Sequence, residues 1–240
     1  MKTIRHKAEN RGFANHGWLQ ANHSFSFGSY FDKDNIQFGS LRVLNDDVIA
    51  PKMGFGTHPH ENMEIITIPL TGVLKHRDNL HQEWQQVLPG EVQVMSAGTG
   101  VRHSEINGSL ESHLSLFQIW VIPKKQNVEP RYGQKAFSEE GRKNKLQKLV
   151  TSIECNHEGS LKIHQDAILS RIDLDKKKSF NYQLKSKNHG VYVMNIFGNV
   201  TIENETLETR DALGILETNS FSVKAKADSG LLLIEVPMGY

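Results

Sequence analysis

The sequence is poor in cysteine, in long apolar runs and in any excess of charge of one sign. Cys155 is the only cysteine among 240 residues, which excludes an intramolecular disulfide framework and a thiolate metal cluster and favours a reducing compartment. No run approaches the roughly 18 consecutive apolar residues of a membrane helix. The 28 basic and 27 acidic side chains leave a formal charge of +1, so we expect no direct nucleic-acid binding.

The first residues, Met1 to Gly12, are polar and charged, and they lack the basic stub and apolar core of a signal peptide. We therefore expect a cytoplasmic protein with no membrane contact, and we expect it to be a monomer. Because thiols are excluded, any transition-metal site must be built from imidazole and carboxylate groups. The chain has 12 histidines from which to build one.

Short runs of β-branched, aromatic and alternating residues recur from about residue 38 to the C-terminus, whereas helical periodicity is scarce. This pattern predicts an all-β fold. Turn signals at Thr71-Gly72, Pro89-Gly90 and Gly98-Thr99-Gly100 separate short strands in the first half. The predicted strands there are Phe38 to Leu44, Ile65 to Leu70, Val73 to Arg77, Trp84 to Leu88, Val92 to Ser96, Val101 to Ile106 and Leu114 to Ile122.

From Pro123 to about Asn144 the composition shifts to polar residues, proline and glycine, which predicts a connecting segment with one short helix. We place a domain boundary there, giving domains of residues 1–130 and 131–240. The second half repeats the rhythm of strands and turns of the first with almost no residue identities. A duplicated β-barrel or sandwich is consistent with that rhythm, which does not by itself establish a duplication.

Two triplets carry the candidate chemistry: His58-Pro59-His60 and His103-Ser104-Glu105. Residues i and i+2 of a strand point to the same face, so each triplet can aim two ligands into one cavity. Together they offer three imidazoles and a carboxylate. This set suits one divalent metal, Fe, Mn, Co, Ni, Cu or Zn, and leaves positions open for a substrate or dioxygen.

The setting of the two triplets distinguishes them from other histidine and acid pairs. Glycine-containing segments, residues 54–57 and 98–100, precede them, and glycine at positive φ lets the backbone approach a cavity closely. The pairs His76/Asp78 and His81/Glu83 instead lie in a polar stretch, for which we predict a solvated surface.

Longer motifs resemble known families. The pattern Gly54-x3-His58-x-His60-x3-Glu64-x7-Gly72, followed by Pro89-Gly90 and Gly98-x4-His103-x3-Asn107, is similar to the paired motifs of the cupin superfamily. The chain resembles the pirin family more closely, above all its bacterial quercetin-dioxygenase-like members. The strings that carry this resemblance are Asn15-His16-Gly17-Trp18, His23-Ser24-Phe25-Ser26-Phe27, Arg42-Val43-Leu44-Asn45-Asp46-Asp47, Thr57-His58-Pro59-His60, and Met95 to Glu105.

The resemblance implies a bicupin fold, in which two antiparallel β-barrels, each a double-stranded β-helix, pack face to face. It implies one metal in the N-terminal barrel, with iron as the first expectation, held by His58, His60, His103 and Glu105. Cupins often take their carboxylate from the first motif, where this chain has Glu64. Because Glu64 shares the strand face of His58 and His60, it could compete with Glu105. No second metal is expected in the C-terminal half, where His189 is predicted to lie in a loop or on the surface.

The resemblance also implies a metal-dependent dioxygenase that cleaves a flavonol such as quercetin and releases carbon monoxide. On this reading the partners are an aromatic small molecule and dioxygen, and Glu105 is the catalytic residue that takes the hydroxyl proton. The alternative is a regulator, because pirins are also described as redox-responsive proteins that bind a transcription factor or a metabolic enzyme.

Other residues allow more than one reading. The aromatic and imidazole cluster between His16 and Phe27 is expected to pack the N-terminal segment on the barrel or to line its cavity. Arg42 with Asn45, Asp46 and Asp47 predicts a turn at a strand end with a network of ion pairs. Trp120 alternates with apolar residues and is predicted to lie in the core.

Overall fold

The computed structural model describes residues 1–239, and these form an all-β structure, as the alternating sequence pattern predicts. Their one helical element is a 3-10 turn at Ala8–Asn10, and no helix in this part of the chain is long and apolar enough to cross a bilayer. The strands up to the middle of the chain are β1 Lys2–His6, β2 Gly12–Asn15, β3 Leu19–His23, β4 Leu41–Ile49, β5 Gly54–His60, β6 Glu64–Thr71, β7 Leu74–Asp78, β8 Gln85–Val87, β9 Glu91–Ser96, β10 Val101–Asn107, β11 Leu114–Val121 and β12 Arg131–Ala136.

The later strands are β13 Gln147–Ser152, β14 Leu161–Ile163, β15 Ile168–Leu174, β16 Ser179–Gln183, β17 His189–Phe197, β18 Val200–Ile202, β19 Glu205–Leu207, β20 Ala212–Leu216, β21 Ser220–Ala225 and β22 Ser229–Pro237. The strands form four sheets. The N-terminal half has a seven-stranded sheet, β12-β9-β6-β11-β4-β3-β2, and a four-stranded sheet, β5-β10-β7-β8. The C-terminal half has a seven-stranded sheet, β1-β20-β17-β22-β15-β13-β14, and a four-stranded sheet, β16-β21-β18-β19.

The connecting segment differs from its prediction. The described chain contains no helix between residues 123 and 144, so that prediction was wrong. Arg131–Ala136 is instead an edge strand that pairs with β9, because backbone groups left open at that sheet edge accept it. The first strand, Lys2–His6, pairs with β20 in the C-terminal half. The seven-stranded sheet of the N-terminal half therefore includes β12, which follows residue 130, and the seven-stranded sheet of the C-terminal half includes β1, the first strand of the chain.

The two seven-stranded sheets pack on each other through one large hydrophobic layer. Their strands alternate, so one face of each sheet contributes to this layer: Leu44, Ile66 and Phe117 lie on the N-terminal sheet, and Tyr192 and Leu232 on the C-terminal sheet. Burial of apolar side chains from both halves joins them.

The opposite faces of these two sheets differ in polarity. In the C-terminal half, apolar side chains such as Val193, Leu213, Val223 and Leu233 fill the space between the two sheets. In the N-terminal half, the corresponding face carries buried polar residues, which are Asn45, Asp47, Thr67, Gln93 and Gln118. A polar interior costs folding free energy unless it is paired or used, so the N-terminal half is where a site is expected.

The predicted turn around Asn45, Asp46 and Asp47 is also wrong, because all three lie in the middle of strand β4. The polar residues had suggested a strand end. Asp46 does form ion pairs, one of them across the interface between the halves: its Oδ2 accepts a hydrogen bond from Nε of Arg210 at 2.8 Å. The same Oδ2 lies 3.8 Å from Nη1 of Arg11, which belongs to the N-terminal half. Arg42 takes no part in this network and donates to backbone carbonyls of Ser26 and Ile36.

Replacing Asp46 with asparagine is expected to lower the free energy of unfolding by about 3 kcal/mol, because it leaves the buried guanidinium of Arg11 without its counter-charge. Urea denaturation monitored by fluorescence measures the loss. Asp34→Asn is the matched control, since Asp34 pairs only with Lys33 at the exposed surface and should leave stability unchanged. Equal stabilities for the two variants would show that the interface does not depend on this pair.

Candidate metal centre

Two neighbouring antiparallel strands, β5 and β10, bring the histidines together. In their register His103 faces His58, and His60 lies two residues further along β5 on the same face. One extra residue bulges out of β5 between the pairs His103/His58 and Glu105/Phe55, and such bulges often redirect side chains at functional sites. The backbones approach so closely that a Cβ on Gly54 would lie 2.1 Å from the carbonyl oxygen of Glu105. Only glycine fits there.

The glycines before the second triplet behave as the sequence predicts. Gly98 has a φ of +47° and Gly100 a φ of +141°, a backbone region that side chains disfavour. They form the tight turn between β9 and β10, and this turn sets the start of the strand that carries His103 and Glu105.

His58, His60 and His103 converge on one point. One ring nitrogen from each lies within 4.8 Å of the others, and the Nε2 atoms of His58 and His103 are 2.9 Å apart. The Nδ1–H of His58 donates to the carbonyl oxygen of Gly56 at 2.8 Å, so its Nε2 carries the lone pair that faces His103. Two nitrogens bound at right angles to one metal at about 2.1 Å would lie about 3.0 Å apart, so this pair fits a shared metal ion.

Burial keeps two of these imidazoles in the form that binds metal. Together with the charges of neighbouring histidines, it lowers the pKa of His60 to about 4 and that of His103 to about 2. At pH 7 both rings are therefore neutral. A neutral imidazole is the ligand form, so protons compete only weakly for these two positions.

Glu105 lies in the same cavity but is held by neighbours on the facing sheet. Nε2 of Gln118 donates to its Oε2 at 3.0 Å, and Oγ1 of Thr67 lies 3.4 Å from its Oε1. The histidine nitrogens form their group without a Glu105 oxygen. Burial raises the pKa of Glu105 to about 7, although both hydrogen bonds act in the opposite direction.

If Glu105 ligates the metal, metal binding at pH 6 is expected to release about one proton more from the wild type than from Glu105→Gln, because the buried carboxyl is protonated in the metal-free protein. Calorimetric titration with Zn²⁺ in buffers of different ionisation enthalpy counts the protons. Equal proton release from both proteins would contradict ligation by Glu105.

The alternative carboxylate, Glu64, lies elsewhere. Oγ of Ser96 donates to its Oε2 at 2.6 Å, and Glu64 is not among the residues that line the histidine cavity. Burial raises the pKa of Glu64 to about 7. Of the two glutamates, Glu105 is therefore the one that shares the cavity with the histidines.

The cavity beside the histidines has a volume of about 540 Å³, within the range of small-molecule sites. Aromatic side chains form much of its wall: Trp18, Phe27, Phe55 and Trp120. Trp120 was predicted to lie in the core, but its ring contacts the ring of His60 edge-on at a centroid distance of 4.8 Å. Trp120 lies on the inward face of β11, where it packs against the buried cluster of Ile65, Met95, Ala97 and Val101 and also lines the cavity.

The N-terminal aromatic cluster divides between its two expected roles. Trp18 and Phe27 line the cavity, whereas Phe25 is buried in the hydrophobic layer between the halves. His23 is buried and its Nδ1–H donates to Oδ1 of Asn45 at 2.9 Å. His16 is exposed.

Two predictions of surface histidines were wrong. His76 and Asp78 are buried on the inward face of β7, where they face Glu105 and His103 of β10. The ring of His76 stacks on Tyr132 at 5.2 Å and lies 5.4 Å from the ring of His103. The sequence suggested a loop because an interior so polar does not show the usual hydrophobic alternation.

His189 is likewise only 4% exposed, and its Nδ1 lies 3.2 Å from Oε1 of the buried Glu235. It begins strand β17 of the C-terminal half. His81 and Glu83, by contrast, are exposed as predicted.

Comparisons with known proteins identify the family of the chain. The Pirin family model matches residues 5–121, and the quercetinase C-terminal cupin domain model matches residues 149–236. A quercetin 2,3-dioxygenase of Escherichia coli (strain K12) is 44% identical over 96% of this chain and 97% of its own. A pirin-like protein of Caulobacter vibrioides is 39% identical over 93% of this chain and 95% of its own.

Among solved structures, the bacterial pirin YhhW from Escherichia coli in complex with nickel(II) aligns with a TM-score of 0.92 and 42% identity, covering 98% of this chain and 99% of that one. Fold and family matches together define an all-β protein with cupin-type domains. The chain belongs to the pirin family, which confirms the resemblance read from its motifs.

Proposed function

We propose that this protein is a metal-dependent dioxygenase that cleaves a flavonol such as quercetin. The observation that carries the proposal is the convergence of three histidines on an aromatic-lined cavity of about 540 Å³. The quercetin 2,3-dioxygenase relative supports the substrate class. We propose iron as the first metal to test. The ligand set also suits manganese, cobalt, nickel, copper and zinc, so the identity of the metal must be determined by experiment.

In this proposal His58, His60 and His103 hold the metal, and Glu105 is the fourth ligand and the catalytic carboxylate. A bound divalent metal would supply positive charge that stabilises the deprotonated 3-hydroxyl of the flavonol. The aromatic side chains stack on the flat rings of the substrate and exclude water. His58 is fixed for this role by its hydrogen bond to the carbonyl oxygen of Gly56.

Glu105 takes the proton of the 3-hydroxyl. Burial raises its pKa to about 7 in the protein without metal, and the charge of a bound metal would lower it, so that the carboxylate form that accepts a proton is present at neutral pH. The hydrogen bond from Gln118 orients its Oε2. Atoms balance when one flavonol and one dioxygen give one depside and one carbon monoxide, with C3 leaving as the carbon of carbon monoxide.

We also propose that the domains, residues 1–130 and 131–240, form a bicupin with two barrels face to face and the chemistry in the first. The hydrophobic layer between the two seven-stranded sheets supports the face-to-face packing. The apolar interior of the C-terminal half supports a packing role for the second domain.

The proposal is tested by loading the metal-free protein separately with iron, manganese, cobalt, nickel or copper and incubating it with quercetin and oxygen. At least one form should produce the depside and carbon monoxide faster than the same metal free in solution. No turnover above free metal with any of the five would contradict the proposal.

A further inference from the structure

One wall of the histidine cavity is lined by a row of polar side chains that cross the sheet. The register places His23 beside Asn45, Asn45 beside Gln118, and Gln118 beside Thr67. Gln118 and Thr67 are engaged by Glu105. The proposed mechanism therefore involves Gln118 and Thr67 but gives no role to Asn45 on strand β4.

Asn45 presents a donor at that end. Its Oδ1 accepts the hydrogen bond from Nδ1–H of His23, which fixes the amide plane. Asn45 also lines the cavity. With the oxygen engaged by His23, the NH2 group is the part of Asn45 that can bind a molecule in the cavity.

Asp47 lies two residues further along β4, on the same face, and also lines the cavity. It is only 4% exposed, and its Oδ1 is buried without a hydrogen-bond partner among the described residues. The neighbouring Asp46 faces the other side of the sheet and has two arginine partners, so the ion pairs of β4 do not serve Asp47. A buried acceptor left unpaired weakens the fold, which is typical of a residue retained for binding.

The electrostatics of Asp47 fit a neutral ligand group. Burial, together with the charges of Asp46 and Glu105, raises its pKa to about 8. At neutral pH this carboxyl group is therefore largely uncharged in the protein without metal. In either charge state its oxygens can accept a hydrogen bond from a hydroxyl.

We propose that Asp47, assisted by Asn45, is the specificity-determining residue that binds a phenolic hydroxyl of the substrate other than the one bound at the histidines. The substrate class is thereby narrowed from any flat aromatic to one with at least one further ring hydroxyl. This inference rests on the proposed function, since it assumes that a flavonol occupies the cavity. Asp47 lies on a different sheet from the three histidines, so one molecule can contact both groups only by spanning the cavity.

Two flavonols separate this role from metal binding. Quercetin has four hydroxyl groups besides the 3-hydroxyl, whereas 3-hydroxyflavone has none and keeps the same pair of metal-binding oxygens. Calorimetric titration of zinc-loaded protein without oxygen gives both affinities without turnover. We expect the wild type to bind quercetin at least about tenfold more tightly, because loss of the hydroxyl leaves Asp47 unpaired.

In Asp47→Leu, which removes the polar group at similar size, quercetin should bind about tenfold more weakly and 3-hydroxyflavone unchanged. The same variant should melt at a higher temperature than the wild type, because it removes a buried unpaired carboxyl. Substitution of a residue with a purely structural role would not weaken quercetin binding while raising the melting temperature. Asp47→Asn retains an oxygen acceptor and should restore most of the preference; if Asp47→Leu does not fold, Asp47→Ala replaces it.

Asp46→Asn is the matched control, because it should lose stability and keep the preference for quercetin. If Asp47→Leu keeps the full preference, the inference is wrong and the proposed dioxygenase is unaffected. If the wild type prefers quercetin but never turns it over, the dioxygenase proposal fails and the role of Asp47 in binding remains. If the wild type binds neither flavonol, both are overturned.

Discussion

Replacing His103 with alanine is expected to weaken metal binding at least about 100-fold, because even loss of a group that only orients a ligand costs 10- to 100-fold. His103 is buried at the centre of the cluster, and its Nε2 lies 2.9 Å from that of His58. Without His103 only two imidazoles remain to bind the metal, and they no longer fix the position at which the substrate binds it. Flavonol cleavage should then fall to the rate of free metal. Metal content after gel filtration and oxygen uptake measure the two losses.

His81→Ala is the control for that experiment, because His81 is an exposed histidine outside the cavity. It should bind metal and cleave quercetin like the wild type. Circular dichroism and thermal melting must show that His103→Ala is folded. A folded His103→Ala that retained one metal per chain would show that the ligand assignment is wrong.

Replacing Glu105 with glutamine is expected to reduce the turnover rate by about 10²- to 10⁴-fold, the usual contribution of a positioned general base. The amide has the size of the carboxyl, and its oxygen can accept the hydrogen bond that Gln118 now donates. The fold and the three histidines should therefore remain, and metal supplied in excess should still fill the site although its fourth ligand is then the weaker amide oxygen. What is lost is the group that accepts the proton. Steady-state kinetics of the metal-loaded variant, normalised to metal content, measure the effect.

Glu64→Gln provides the matched comparison. Glu64 is also buried and has a similarly raised pKa of about 7, but it accepts a hydrogen bond from Ser96 outside the cavity. Its substitution should leave turnover within about twofold of the wild type, as for most changes away from a reacting centre. If Glu64→Gln loses as much activity as Glu105→Gln, the carboxylate of the first motif takes part in the reaction.

Most strands of the first half and the histidine cluster could be predicted from the sequence because both depend on short-range patterns. The strand Gly54–His60, which carries two of the histidines, was not among the predicted strands. Alternation of residues in a strand places His58 and His60 on one face, and the glycine turn before β10 positions His103. Predicting that the two triplets meet required only that their strands pair. Here the local pattern and the fold agree.

The polar interior could not be predicted in the same way. His76 and Asp78 were assigned to a solvated loop, and Asp47 to a turn, because buried residues are expected to be apolar. The buried residues around this cavity are instead polar, because a functional site uses them. Gln118 could have been noticed, since it is the polar residue between Leu116 and Trp120 on an otherwise apolar face of its strand.

The pairings between halves also lay beyond sequence reasoning. Strand Lys2–His6 pairs with Ala212–Leu216, more than 200 residues away, and Arg210 meets Asp46 only because the two sheets pack. No local pattern specifies such contacts. They depend on which sheet edges remain open once each half has folded.

The central claim is that this chain uses one metal in the histidine cavity to cleave a flavonol with dioxygen. Its most direct test is the reaction of metal-loaded protein with quercetin that carries ¹³C at C3. The account predicts one ¹³C-labelled carbon monoxide for each dioxygen consumed, and none after metal removal or in His103→Ala. Stoichiometrically metal-loaded wild type that yields no labelled carbon monoxide above free metal would contradict it.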